Sequence, residues 1–161
     1  MLNKQKKPYK GENMKNRVIK IIITISIIII LLDQISKIIV LKFLSNSVGN
    51  DYFGMELVLN TGMAFGFNNG NTRNVFLTVF VLLIIFNFIK NQIERIDTKT
   101  SIALGLVIGG GTSNLIDRFV RKGVIDFIKL FKIPNFNIAD ICVVIGWILI
   151  IVFLIDYSKK K

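Results

Sequence analysis

The chain has 161 residues, 52% of them hydrophobic, with a formal charge of +11 and a mean hydropathy of +0.60. Its apolar residues gather into long blocks and its Lys and Arg cluster where those blocks end, the pattern of an integral membrane protein and not of a nucleic-acid binder. Histidine is absent and Cys142 is the single cysteine, so no intramolecular disulfide, no Ser-His or Cys-His nucleophile and no His-ligated metal is available.

A basic tail, residues 1–17, precedes the first apolar block, which opens at Val18, runs through "IIITISIIIILL" and continues past Asp33 to about residue 41. The block is long for a signal peptide and "KFLSNS" after it lacks a small-x-small cleavage site, so it is expected to persist as a helix. Three further blocks, 75–89, 101–116 and 141–155, fall a little short of the roughly 20 residues that cross a bilayer core, so each must draw flanking polar residues into its helix. The pattern predicts one all-α membrane domain, a four-transmembrane-helix bundle with helices over about 18–41, 74–89, 101–117 and 140–156.

Thirteen Lys and Arg lie before helix 1 or in its first turn, between helices 2 and 3, or after helix 4, against eight at or near the other side, which puts both termini in the cytoplasm. The other side holds two loops, 42–73 and 118–139. Alternation around residues 55–59 and at "VIDFI" suits short strands, Gly62, Gly66 and Gly70 permit tight turns, and Pro134 suggests a chain reversal. A small β-rich extracytoplasmic cap is expected.

Polar side chains collect where these loops meet the helices: Asn60, Asn114, Asp117, Arg118, Asp126, Asn137 and Asp140, with Asp33 two-thirds of the way along helix 1. At membrane depth such groups face a bundle interior or a water-filled cavity. Simple structural roles exist for several. Asp33 and Lys37, four apart, form an ion pair on one helical face; Asp117 pairs with neighbouring Arg118; the asparagines satisfy loop backbone; Cys142 packs as an apolar residue. Asp126 and Asp140 have no adjacent Lys or Arg and are walled by apolar residues. Two carboxylates sharing a partly desolvated site cannot both ionise cheaply, so one keeps a proton and the pair offers a general acid and a general base. An aspartate pair activating water is the main hydrolytic chemistry left to a chain without histidine.

"DQISK" (33–37), "NTGMAFG" (60–66), "GGGTSNLIDRF" (109–119), "GVIDFI" (123–128) and "FNIAD" (136–140) occur in the order seen in the lipoprotein signal peptidases, or signal peptidase II, and the chain resembles that family from about residue 18 to 155. The resemblance implies an aspartic endopeptidase of the bacterial cytoplasmic (inner) membrane, with its active site toward the extracytoplasmic face. It would remove signal peptides from prolipoproteins by cleaving before a diacylglyceryl-modified cysteine, with lipid as its surroundings, no cofactor and no obligate protein partner. By position the catalytic pair is Asp126 and Asp140. Asn60, Asn114, Arg118 and Asn137 hold substrate or orient the aspartates, and Asp33 and Asp117 are supporting polar positions. Asp117 stays a rival to Asp126; Asp126 is preferred because Arg118 should keep Asp117 ionised, whereas a protease dyad shares a proton. Ser113 stands where glycine is common in the family. The competing class, a small four-helix proton- or cation-coupled transporter, would place acids near mid-membrane on several helices, but here they sit toward one end.

Overall fold

The computed structural model describes residues 10–62 and 70–159. Most of the basic tail, and the turn expected at Gly66, lie outside the described residues. Among these residues are four helices, α1 (Lys10–Phe43), α2 (Gly70–Gln92), α3 (Thr98–Arg121) and α4 (Ile138–Lys159), and four short strands, β1 (Val48–Gly49), β2 (Phe53–Asn60), β3 (Val124–Leu130) and β4 (Ile133–Phe136), with one strand pair between α1 and α2 and the other between α3 and α4. Each helix begins earlier and ends later than its apolar block, as short blocks require. The start of α1 at Lys10 extends furthest, into the expected tail: Lys, Met and Glu are good helix formers, and Lys15 pairs with Glu94 at 2.8 Å, against the turn between α2 and α3.

Stretches of α1, α2 and α4, over Asn13–Phe43, Thr72–Gln92 and Ile138–Ile155, are long and apolar enough to cross a membrane, and the chain is a multi-pass membrane protein. They present Ile27, Leu31, Phe80, Leu83, Val144 and Ile148 outward. α3 is different in kind. It is the central helix, and glycine, serine, Asn114 and Asp117 occupy its buried face. A Cβ at Gly109 would lie 2.9 Å from the Ser26 backbone, and one at Gly110 would lie 2.5 Å from the Ala139 carbonyl oxygen. Small residues here let α1 and α4 approach α3 closely, the usual way helices associate where lipid removes the hydrophobic drive. Val18, Ile22, Ile85, Ile96, Leu104 and Val107 form the apolar core toward the opposite end of the bundle.

The strands make one antiparallel sheet in the order β1-β2-β3-β4. It packs on α1 and α4 through Ile125 and Phe127, which meet Val40, with Leu44 and Ile138 beside them. The reversal expected near Pro134 is the turn at Phe131 and Lys132, with Phe131 at φ 52°. Pro134 itself lies inside β4, where the edge of a sheet tolerates a residue with no N–H to donate. Gly70, expected in a turn, starts α2.

Candidate active site

Strand alternation places Ile125 and Phe127 toward α1 and turns Asp126 to the other face of β3. Asp126 is 2% exposed, yet each of its oxygens has a donor. Asn60 Nδ2, from the end of β2, donates to Oδ2 at 2.9 Å, and Asn137 Nδ2 donates to Oδ1 at 2.7 Å. Asn60 is itself held by an Asx turn in which Gly62 N donates to its Oδ1 at 2.9 Å. Burial pushes the Asp126 carboxyl up to about 6; the negative charge of Asp140 adds to the rise and the two asparagine hydrogen bonds oppose it.

Asp140 belongs to the first turn of α4, and "FNIAD" is the cap of that helix. Asn137 precedes the first helical residue, and its Oδ1 accepts from Asp140 N at 2.9 Å while Asp140 Oδ2 accepts from Asn137 N at 3.2 Å. This is a capping box with Asn and Asp in the paired positions. The same Asn137 therefore touches both carboxylates. Asn114 Nδ2, from α3, donates to Asp140 Oδ1 at 2.8 Å and completes its shell. The chain thus brings Asn60, Asn114, Asp126, Asn137 and Asp140 into one hydrogen-bonded group.

Asp33 and Asp117 fall in an adjoining group centred on Lys37, which is fully buried. The Lys37 ammonium lies 2.6 Å from Asp33 Oδ2, 2.9 Å from Asp117 Oδ2 and 3.1 Å from Asn114 Oδ1. Asp33 Oδ1 accepts from Ala139 N at 2.9 Å, so a residue of α1 satisfies a first-turn N–H of α4. Asp117 is ionically paired as expected, and by more than Arg118: Lys37 and Arg121 contact it, the latter because the i, i+4 spacing faces it back onto Asp117, while the charge of Arg118 acts on it as well. Asp117 Oδ2 also accepts from Ile125 N at 3.0 Å, tying α3 to β3 beside Asp126. Arg118 has its Nη1 3.4 Å from Asn114 O, near enough for its charge to act on Asp140 and Asp126.

Three further side chains, Lys37, Gln34 and Ser113, complete this second group. Lys37, expected to pair with Asp33, pairs with Asp117 as well. Gln34 Nε2 donates to Ser113 Oγ at 3.0 Å and to Asp117 Oδ1 at 2.9 Å, and Ser113 Oγ donates to Asp33 Oδ2 at 2.7 Å. The signal was present: Asp33, Gln34 and Lys37 share one side of α1, and Ser113, Asp117 and Arg121 recur every four residues along α3. Ala139 is fully buried, and its carbonyl oxygen faces Gly110 at the approach of α3 and α4. Cys142 is half-buried. No group of three or more Cys, Asp or Glu side chains arranged to hold a metal occurs among the described residues.

The family model for signal peptidase (SPase) II matches residues 25–156. A lipoprotein signal peptidase of Halothermothrix orenii is 36% identical over 137 residues, covering 83% of this chain and 94% of the relative. One from Borrelia hermsii is 36% identical over 167 residues, covering 91% and 95%. Among solved structures, a bacterial membrane enzyme determined by the in meso method superposes with a TM-score of 0.75 at 29% identity, covering 87% of this chain and 90% of the other.

Proposed function

The chain belongs to the lipoprotein signal peptidase family, whose members are hydrolases that cleave signal peptides from prolipoproteins, and from that premise we propose that Asp126 and Asp140 are its catalytic pair. The observation that carries this reading is Asn137, which donates to Asp126 through its side chain and exchanges two hydrogen bonds with Asp140. One residue thereby ties the two carboxylates into one network, through its side-chain amide to Asp126 and its backbone N–H to Asp140. Asp117, held between Lys37 and Arg121, is a structural anion by the same logic.

In the proposed mechanism Asp140 is the ionised member. It occupies the first turn of α4, where the helix dipole favours negative charge. Asp126, 2% exposed, carries the shared proton. Asp140 takes a proton from a water between the carboxyls as its oxygen attacks the scissile carbonyl carbon. Asp126 gives its proton to the carbonyl oxygen. When the tetrahedral adduct collapses, the carbon–nitrogen bond breaks, Asp140 returns its proton to the leaving amine and Asp126 recovers its own from the adduct hydroxyl. No covalent intermediate and no cofactor is needed.

We further read all four helices as spanning the bacterial cytoplasmic (inner) membrane. The sheet is then an extracytoplasmic cap, both termini are cytoplasmic and the site faces outward. α3 spans despite its polar face because that face is enclosed by α1 and α4. The substrate is a prolipoprotein with a diacylglyceryl cysteine, cut just before that residue, whose acyl chains stay in the outer leaflet. Nothing in the site calls for a protein partner, and the transporter reading has no support in the family. Purified protein given a diacylated prolipoprotein and an unlipidated one tests the specificity: cleavage of the lipidated substrate alone is expected, and equal cleavage of both would refute it.

A further inference from the structure

Asn60 faces Asp126 only because β2 is irregular. Met55 lies opposite Ile128 and Val58 lies opposite Asp126, so Glu56 and Leu57 together face the single residue Phe127. This is a β-bulge, and it inverts the alternation of everything after it. In an unbroken strand Met55 and Asn60, five residues apart, would point to opposite faces. With the extra residue both are opposite even-numbered positions of β3, Ile128 and Val124, on the face that carries Asp126.

A second irregularity lies across β3. Ile128 pairs with Phe136 and Leu130 with Ile133, which leaves Pro134 and Asn135 opposite Lys129 alone. The two bulges are joined. Asn135 Nδ2 donates to the Glu56 carbonyl oxygen at 3.0 Å, and Lys129 Nζ lies 3.4 Å from Glu56 Oε2. A bulge takes a backbone group out of the ladder, and here the Asn135 amide supplies the partner at the bulged residue. Pro134 fixes the backbone immediately before it.

We propose that Asn135 is a positioning residue for the reaction: by holding the bulge at Glu56 it sets the register that presents Asn60 to Asp126. Asn135 touches neither carboxylate and acts through β2. The proposal rests on Asp126 being catalytic.

The test is a double-mutant cycle on the full-length protein with lipidated prolipoprotein as substrate, together with the titration of Asp126 followed by carboxyl carbon NMR without substrate. Asn135→Ala should lower kcat about fivefold, the worth of one hydrogen bond, with KM little changed. Asn135→Gln, which keeps the donor, should restore part of the loss. In the Asn60→Ala background Asn135→Ala should add nothing, because its route to the site is already cut. The Asp126 midpoint should rise in Asn135→Ala as it does in Asn60→Ala, since the opposing asparagine hydrogen bond is weakened in both. The other charges around Asp126 are Asp140 on α4, Lys37 on α1 and Arg118 on α3, and these variants leave them in place. Additive effects on kcat, or an unmoved midpoint, would overturn the proposal. If Asp126 proved dispensable for cleavage, the catalytic reading would fail, while the substrate-free titration would still report on the bulge.

Discussion

The ammonium of Lys37 is 3.1 Å from Asn114 Oδ1, and that contact fixes which way the Asn114 amide points. An ammonium can only donate, so the asparagine turns its oxygen to Lys37 and its NH2 to Asp140, 2.8 Å away. Asn137 Nδ2, 3.1 Å from the same oxygen, enforces the same choice. Lys37, assigned from sequence to one ion pair, thus joins the buried ionic group to the candidate catalytic one.

Replacing Lys37 by Met should strip the cation from two buried carboxylates, Asp33 and Asp117. Breaking a buried pair by removing one partner costs about 3–5 kcal/mol. A large fall in Tm of the purified protein is expected. Lys37→Arg should not restore stability, because a planar fork does not fit a site built around a single ammonium.

Gly110→Ala probes the approach of α3 and α4. The added methyl would lie 2.5 Å from the Ala139 carbonyl oxygen, a backbone atom that cannot swing aside. The start of α4 must shift, and Asp140 with it. Reduced processing and a lowered Tm should appear together, whereas Gly111→Ala, whose nearest neighbour is a Leu82 methyl at 3.5 Å, should leave both close to wild type.

Asp126 should titrate near pH 6 in the substrate-free protein, well above an ordinary aspartate. The causes give opposite signs to two variants. Asp140→Asn removes a negative charge that raises the value, so the midpoint falls; Asn60→Ala removes a hydrogen bond that lowers it, so the midpoint rises. Carboxyl carbon NMR across pH 4–8 measures both, and shifts of the same sign would contradict the assignment of Asp126 and Asp140 to one site.

Asn137→Ala separates catalysis from capping. Loss of the cap costs about 1 kcal/mol of stability. Loss of a preorganised donor to the reacting pair costs about a hundredfold or more in kcat. Turnover should therefore drop far more than the fall in Tm accounts for.

Much of this arrangement was legible in the sequence because membrane burial makes polar residues conspicuous. Asp126 and Asp140 stand in apolar surroundings, and Asn137 lies three residues before Asp140, the spacing of a helix cap. What was not legible depends on tertiary placement. The strand register that turns Asn60 toward Asp126 comes from an extra residue that no alternation pattern reveals. Asp117 contacts Arg121, one turn on, because a helix brings i and i+4 together, and Lys37 from another helix. The close approach of Gly110 to the Ala139 carbonyl likewise joins residues far apart in the chain.

The most direct measurement is processing of a diacylated prolipoprotein by Asp126→Asn, Asp140→Asn and Asp117→Asn, each first shown to be folded by its thermal unfolding. Asp126→Asn and Asp140→Asn should each be folded and inactive, with Asp117→Asn retaining partial turnover or losing it only in proportion to lost stability. Wild-type cleavage by either of the first two, or a folded but inactive Asp117→Asn beside an active Asp126→Asn, would contradict the assignment.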